Sequence, residues 1–252
     1  MVCCFKLMSR EYASQSSRRQ WSVTTLWVAV LSAGAVSLVW ARLDGGVSTL
    51  FLAGWGGGLV AVSGVVGWLV RSVDDQPLTL ATAVTLARGV ALAGFGGFLV
   101  AGIPAGSLAW APAVLFAVAA GLDAVDGWIA RSTDSVSAFG ARLDTEVDGL
   151  TVLLGTLLVI RETLVPAVFV AVGVARYLFV FGIWLRRRRG QPVAELPPSQ
   201  LRRVLGGLAM ATIWVALLPV VPLSISRPLA VAVLVPFVIN FSRDWLAVSG
   251  RR

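Results

Sequence analysis

The chain has 252 residues, 57% of them hydrophobic and 13% charged, with a mean hydropathy of +0.84. A soluble domain carries about 25% charged residues, so this composition excludes an ordinary water-soluble fold and indicates a polytopic membrane protein. The net charge of +8, with no histidine, is carried by arginines at the ends of apolar runs, where topology and anionic lipid headgroups account for it; no nucleic-acid partner is expected.

Apolar segments recur along the chain, each long enough to cross roughly 30 Å of hydrocarbon. They are continuously apolar and do not alternate with period two, which predicts helices and not the strands of a barrel. Eight spans are expected, at Trp21–Ala41, Leu50–Val70, Thr79–Ile103, Ser107–Ala130, Ser137–Ile160, Leu164–Leu185, Val204–Val221 and Pro228–Leu246. The first follows about twenty polar and basic residues and has no clear small-residue cleavage site, so it reads as a retained anchor. The adjacent Cys3 and Cys4 suggest no disulfide framework.

The basic residues orient the chain. With the N-terminus inside, fifteen of the 21 lie on inner loops and tails: Lys6, Arg10, Arg18, Arg19, Arg71, Arg131, Arg186 to Arg189, Arg202, Arg203, Arg243, Arg251 and Arg252. Arg42, Arg161 and Arg227 fall outside, and Arg88, Arg142 and Arg176 within spans. This asymmetry predicts both termini, and the loop after the fourth span, on the cytoplasmic side of the plasma membrane. The run RRRRGQPVAELPPSQLRR between the sixth and seventh spans reads either as a solvated stop signal or as a basic rim for an anionic substrate. The runs AGWGGGLVAVSG and AGFGGFLVAG suit close helix packing, within one chain or across a dimer interface.

The stretch DAVDGWIARSTDSVSAFGARLDTEVDG joins the fourth and fifth spans. Its spacing is Asp123-x2-Asp126-Gly127-x2-Ala130-Arg131-x8-Gly140-x3-Asp144-x3-Asp148. At 100° per residue the first five positions share an arc of roughly 140° on one helix, and the last three share roughly 80° on the next. The short loop makes the helices antiparallel neighbours, so the two faces can meet with four carboxylates between them. Asp123 lies roughly 12 Å in from the cytoplasmic end of its helix, a depth at which an unpaired acid costs a few kcal/mol. Two divalent cations would neutralise the four charges, and all-oxygen ligation favours Mg²⁺, Mn²⁺ or Ca²⁺ over zinc. Gly127, Ala130 and Gly140 leave a trough, and Arg131 at its mouth can fork a phosphate. The pattern fits phosphoryl or phosphatidyl transfer. A structural reading stands beside it, in which the acids pair with Arg88, Arg142 or Arg176. Glu146 and Asp134 fall outside the pattern and read as non-catalytic.

This motif resembles the signature of the CDP-alcohol phosphotransferases, D-x2-D-G-x2-A-R-x8-G-x3-D-x3-D, at all eight positions. The segment TLAR, Thr85 to Arg88, is similar to the end of the family's P-N-x-L-T-L-x-R segment, although Ala81 and Thr82 stand where Pro and Asn would be. The resemblance implies an all-α polytopic membrane protein, with a six-helix core over 79–252 and an N-terminal extension, 1–78, that adds two transmembrane helices. It implies that Asp123, Asp126, Asp144 and Asp148 hold two divalent ions, usually Mg²⁺, with Mn²⁺ as a substitute. It also implies that Asp148 is the general base, and that Gly127, Ala130, Arg131, Gly140 and Thr85 line the site for CDP. The expected donor is a CDP-linked lipid, the acceptor a small alcohol, the released product CMP, and the assembly a homodimer among membrane lipids.

The lack of histidine makes a carboxylate the obvious proton acceptor. Arg176, within the sixth span, and Arg202 and Arg203, opening the seventh, are candidate ligands for an acceptor phosphate; Arg176 could equally be a counter-ion to the acids. The many cytoplasmic arginines favour a phosphorylated polyol, such as glycerol 3-phosphate or inositol phosphate, over serine or inositol. Membrane prenyltransferases need two separated Asp-rich clusters, and a cation transporter has no need of Gly127, Ala130 and Arg131 at these spacings.

Overall fold

The computed structural model describes residues 48–72, 80–132, 138–196 and 198–250. Among them are seven α-helices and no strand: α1 (Thr49–Ser72), α2 (Leu80–Ala101), α3 (Ala111–Ser132), α4 (Ala138–Arg161), α5 (Val170–Arg188), α6 (Gln200–Leu217) and α7 (Leu223–Val248). The expected first span, Trp21–Ala41, lies outside the described residues. Val84–Ala101, Ala167–Arg188 and Leu223–Val248 are long and apolar enough to cross a membrane.

The helix ends follow local chemistry. Gly102, Gly190 and Gly250 take positive φ angles of 93°, 64° and 68° just beyond α2, α5 and α7, the left-handed turn that closes a helix and that glycine adopts without strain. The start of α6 is capped by Ser199, whose hydroxyl accepts from the Arg202 N–H at 3.4 Å. Its end falls at Leu217, before the expected Val221. Pro219 disfavours helical backbone at Leu218, which is extended with ψ 122°. Likewise α5 begins at Val170, not Leu164, because Pro166 leads into a 3-10 turn over Ala167–Phe169. A 3-10 turn at Gly106–Trp110 similarly delays α3.

The described residues divide into two compact units, those up to residue 102 with those in 117–148, and those in 103–116 with those from 149 onward. In the first, α1 and α2 pack through the glycine runs. Gly58 leaves room for Ala93, whose Cα would lie 2.8 Å from an added Cβ, and Gly54 abuts Gly96. Phe51 covers Gly97 and meets Phe98 edge-on at 5.1 Å between centroids. Leu86, Leu92, Phe95, Leu143 and Val147 are buried in this unit.

In the second unit the buried residues include Phe116, Leu158, Val159, Phe169, Ile213 and Leu217. Gly155 faces Ile213 and Phe116, and Gly173 receives Thr156. Phe179 meets both Phe241 and Trp245 edge-on, at 5.9 and 5.8 Å, joining α5 to α7. The exposed faces of these helices remain apolar, with Leu178, Val180, Phe181, Val235 and Ile239 all exposed. A continuous outward hydrocarbon surface of this kind suits lipid as solvent.

Candidate active site

The site is built in the first unit, on α2 and α4. Asp144 and Asp148 stand one helical turn apart, so they share a face of α4. Leu143 and Val147, each one position earlier, are buried and anchor the helix. The two acids are left partly open, with 40% and 42% of their side-chain surface exposed. Facing them from α2 is Arg88, whose side chain has no exposed surface. Its Nη1 donates to Asp144 Oδ1 at 2.7 Å and its Nη2 to Asp148 Oδ1 at 2.5 Å. One guanidinium thus forks two carboxylates, a geometry that a lysine cannot reproduce.

The structure therefore brings together three of the residues singled out by sequence, and it realises part of the structural reading. Of the three arginines that the sequence places within apolar spans, Arg88 pairs with two of the four acids. Arg142 is exposed. Arg176 belongs to the second unit, where its side chain lies over Gly149, with Cδ 2.6 Å from where a Cβ would stand. Thr85 is buried one turn before Arg88 on α2, and Gly140 sits half-buried one turn before Asp144. The backbones of Asp123, Asp126, Gly127, Ala130 and Arg131 lie on α3, but their side chains, like Asp134, fall outside the described residues.

The pair fits a hard divalent cation. Both groups offer oxygen donors from adjacent turns of one helix, and each is open enough for an ion to reach. Among the described residues no three such ligands come together.

The candidate acceptor residues of α6 are disposed differently from one another. Arg202 is engaged by Asp244 of α7, with Nε 3.0 Å from Oδ2, and Asn240 also donates to Asp244 at 3.1 Å. Arg203 is exposed. In the four-arginine run, Arg187, Arg188 and Arg189 are exposed and Arg186 is half-buried. Arg186 donates to the carbonyls of Pro192 and Ser249, both at 3.0 Å, and Arg188 stacks over Trp184 at 4.4 Å. Arg186, Arg189 and Gln191, with Trp245 and Leu185, line a concavity of about 280 Å³ in the second unit. Charge alone marked this run in the sequence; which of its members clamp the loop depends on the end of α7, about sixty residues on.

Neither the curated proteins nor the solved structures compared with the chain give a match. The family model for CDP-alcohol phosphatidyltransferases does, over residues 78–242. That range takes in α2 with Arg88, the whole aspartate motif, and α4 with the forked acids. Since it spans well over half of the sequence, the chain belongs to the CDP-alcohol phosphatidyltransferase family.

Proposed function

We propose that this protein is an integral membrane enzyme of phospholipid synthesis, moving a phosphatidyl group from a CDP-linked lipid to a small alcohol and releasing CMP. The observation that carries the reading is the family match over a region holding an intact aspartate motif. The partly open Asp144–Asp148 pair supports it. Family membership implies a CDP-alcohol donor, an alcohol acceptor and dependence on a divalent metal. Asp123, Asp126, Asp144 and Asp148 would hold two such ions, Mg²⁺ by preference. When bound, these ions supply positive charge that neutralises the diphosphate and stabilises charge developing during transfer.

The chain's own residues do the rest. Gly127, Ala130, Gly140 and Thr85 line the CDP site, and Arg131 binds a phosphate oxygen. The acceptor hydroxyl attacks the phosphorus that carries the lipid. As the new O–P bond forms, Asp148 takes the hydroxyl proton, and the bond to the CMP phosphate breaks. An active site set at the level of the bilayer lets the donor keep its acyl chains in lipid.

The architecture read with this function is a six-helix core over 79–252 preceded by two transmembrane helices in 1–78, in a plasma membrane, with both termini and the site opening to the cytoplasm. A homodimer is also part of the reading. The inner side of α1 is occupied by α2, but Gly57 and Gly64 have no described atom within 4 Å of where a Cβ would stand, which supports a further contact on that outward face.

Phosphorylated polyols remain the favoured acceptors, with Arg176 and Arg203 as their ligands. Engagement of Arg202 by Asp244 favours, as the second reading, an unphosphorylated acceptor such as serine or inositol. Purified protein given labelled CDP-diacylglycerol, Mg²⁺ and a panel of alcohols separates the two. The expected result is CMP release with glycerol 3-phosphate or inositol phosphate. Release with serine or inositol alone selects the second reading, and no CMP with any alcohol refutes both.

A further inference from the structure

A buried arginine calls for an explanation of its own. The guanidinium is charged at any physiological pH, and burying such a group is costly unless it is paired. Arg88 has no exposed side-chain surface and meets two carboxylates at 2.7 and 2.5 Å. With no exposed surface, it is not placed to touch a donor or an acceptor. Its partners are different, since each keeps about two-fifths of its side chain open. The acids are thus held from the protein side and reachable from the other.

We propose that Arg88 is a resident counter-ion, which holds Asp144 and Asp148 together before a divalent cation arrives and keeps the affinity of the site for that cation moderate. The inference rests on the metal-binding reading given above. Two physical effects lead to it, and both act through the acids. Without a cation, the motif would gather four like charges on two helices, and the fold would strain against their repulsion and desolvation. A permanent positive charge in their midst offsets part of that, so the metal-free protein is already assembled. The same charge then opposes an incoming dication. At an effective dielectric of about 20, a unit charge and a dication about 4–5 Å apart repel by more than about ten times the thermal energy. The fork adds geometry, because its two rigid donors hold the two Oδ1 atoms at a set separation. Arg88 is in these terms a positioning residue.

The test uses the full chain in detergent, with Mn²⁺ binding followed by electron paramagnetic resonance. Thermal melting is recorded alongside, with chelator and with Mg²⁺. In Arg88→Gln, the protein should melt lower in chelator than the wild type, and Mg²⁺ should raise its melting point by more. Mn²⁺ should bind at least about tenfold tighter, because the opposing charge is gone. In Arg88→Lys the charge stays and the fork is lost, so Mn²⁺ affinity should remain within about threefold of wild type while melting in chelator still falls. A merely structural arginine would lower melting in both variants without moving Mn²⁺ affinity, and that result overturns the proposal. Weaker Mn²⁺ binding in Arg88→Gln overturns it too. If that variant does not fold, the equally neutral Arg88→Met is read in its place, and Mn²⁺ affinity there that is unchanged or weaker overturns the proposal. A wild-type protein that binds no Mn²⁺ removes the metal reading and this inference together, whereas wild-type binding with unchanged variants removes only this inference.

Discussion

Replacing Asp148 by asparagine separates its chemistry from its place in the fold. The amide oxygen of asparagine can still accept from Arg88 Nη2, now 2.5 Å from Asp148 Oδ1, so the substitution removes a charge and keeps the shape. Taking one partner from a buried ion pair costs about 3–5 kcal/mol when the other charge is left alone. Here Arg88 keeps Asp144 at 2.7 Å, and Asp148 is 42% exposed and partly screened by solvent. The expected loss of stability is therefore nearer about 1 kcal/mol. A general base, by contrast, contributes about 10²–10⁴ in rate, or about 2.7–5.4 kcal/mol of barrier. The rate effect exceeds the folding effect, and a folded population survives the loss of about 1 kcal/mol. Turnover should be measured as CMP release from CDP-diacylglycerol in nanodiscs, beside a melting curve and a CDP-lipid binding isotherm. Asp148→Asn should lose at least about a hundredfold in turnover, keep most of its CDP-lipid affinity through the three remaining acids, and melt near wild type. Turnover within tenfold of wild type would show that the base lies elsewhere. Affinity collapsing in step with rate would reduce Asp148 to a metal ligand.

Three further outcomes are expected. Asp123→Asn and Asp144→Asn combined in one chain should still allow insertion into membranes but lose divalent-ion occupancy, and excess chelator should abolish both CMP release and CDP-lipid binding; full activity in chelator contradicts the metal assignment. Gly155→Ala should lower stability by about 1–3 kcal/mol through overpacking, because the new Cβ would stand 2.8 Å from Ile213 and 2.9 Å from Phe116, and an unchanged melting curve in detergent would show that these side chains give way freely. In a background free of native cysteine, Gly57→Cys should crosslink to its copy in native membranes if α1 carries the dimer contact, and a strictly monomeric mass for active protein in mild detergent would refute the dimer itself.

Much of the fold could be read locally. A run of apolar residues long enough to bury its own hydrogen bonds has little choice in lipid but to be a helix. Gly102, Gly190 and Gly250 then end helices because they alone turn left-handed without strain, and Ser199 begins one because its hydroxyl caps it. The aspartate motif was equally legible, since residues three and four apart on a helix share a face whatever surrounds them. Prolines were harder to weigh. Pro219 ends α6 early, while Pro228 and Pro236 lie inside α7, where neighbouring groups in a membrane protein can satisfy the freed carbonyls.

What the sequence could not decide was which distant residues meet. It offered Arg88, Arg142 and Arg176 as equal partners for the acids, and only the packing of α2 against α4 selects Arg88, 56 and 60 residues from Asp144 and Asp148. The glycine runs pose the same problem. A missing Cβ permits close approach, but a chain of letters does not say to what, and the structure assigns Gly54, Gly58 and Gly97 to the α1–α2 contact within one chain. Helix periodicity is a property of neighbours a few residues apart and is written in the sequence. An ion pair or a close contact between helices is a matter of relative position, set by the sum of all the packing around it, and it exists only once the chain has folded.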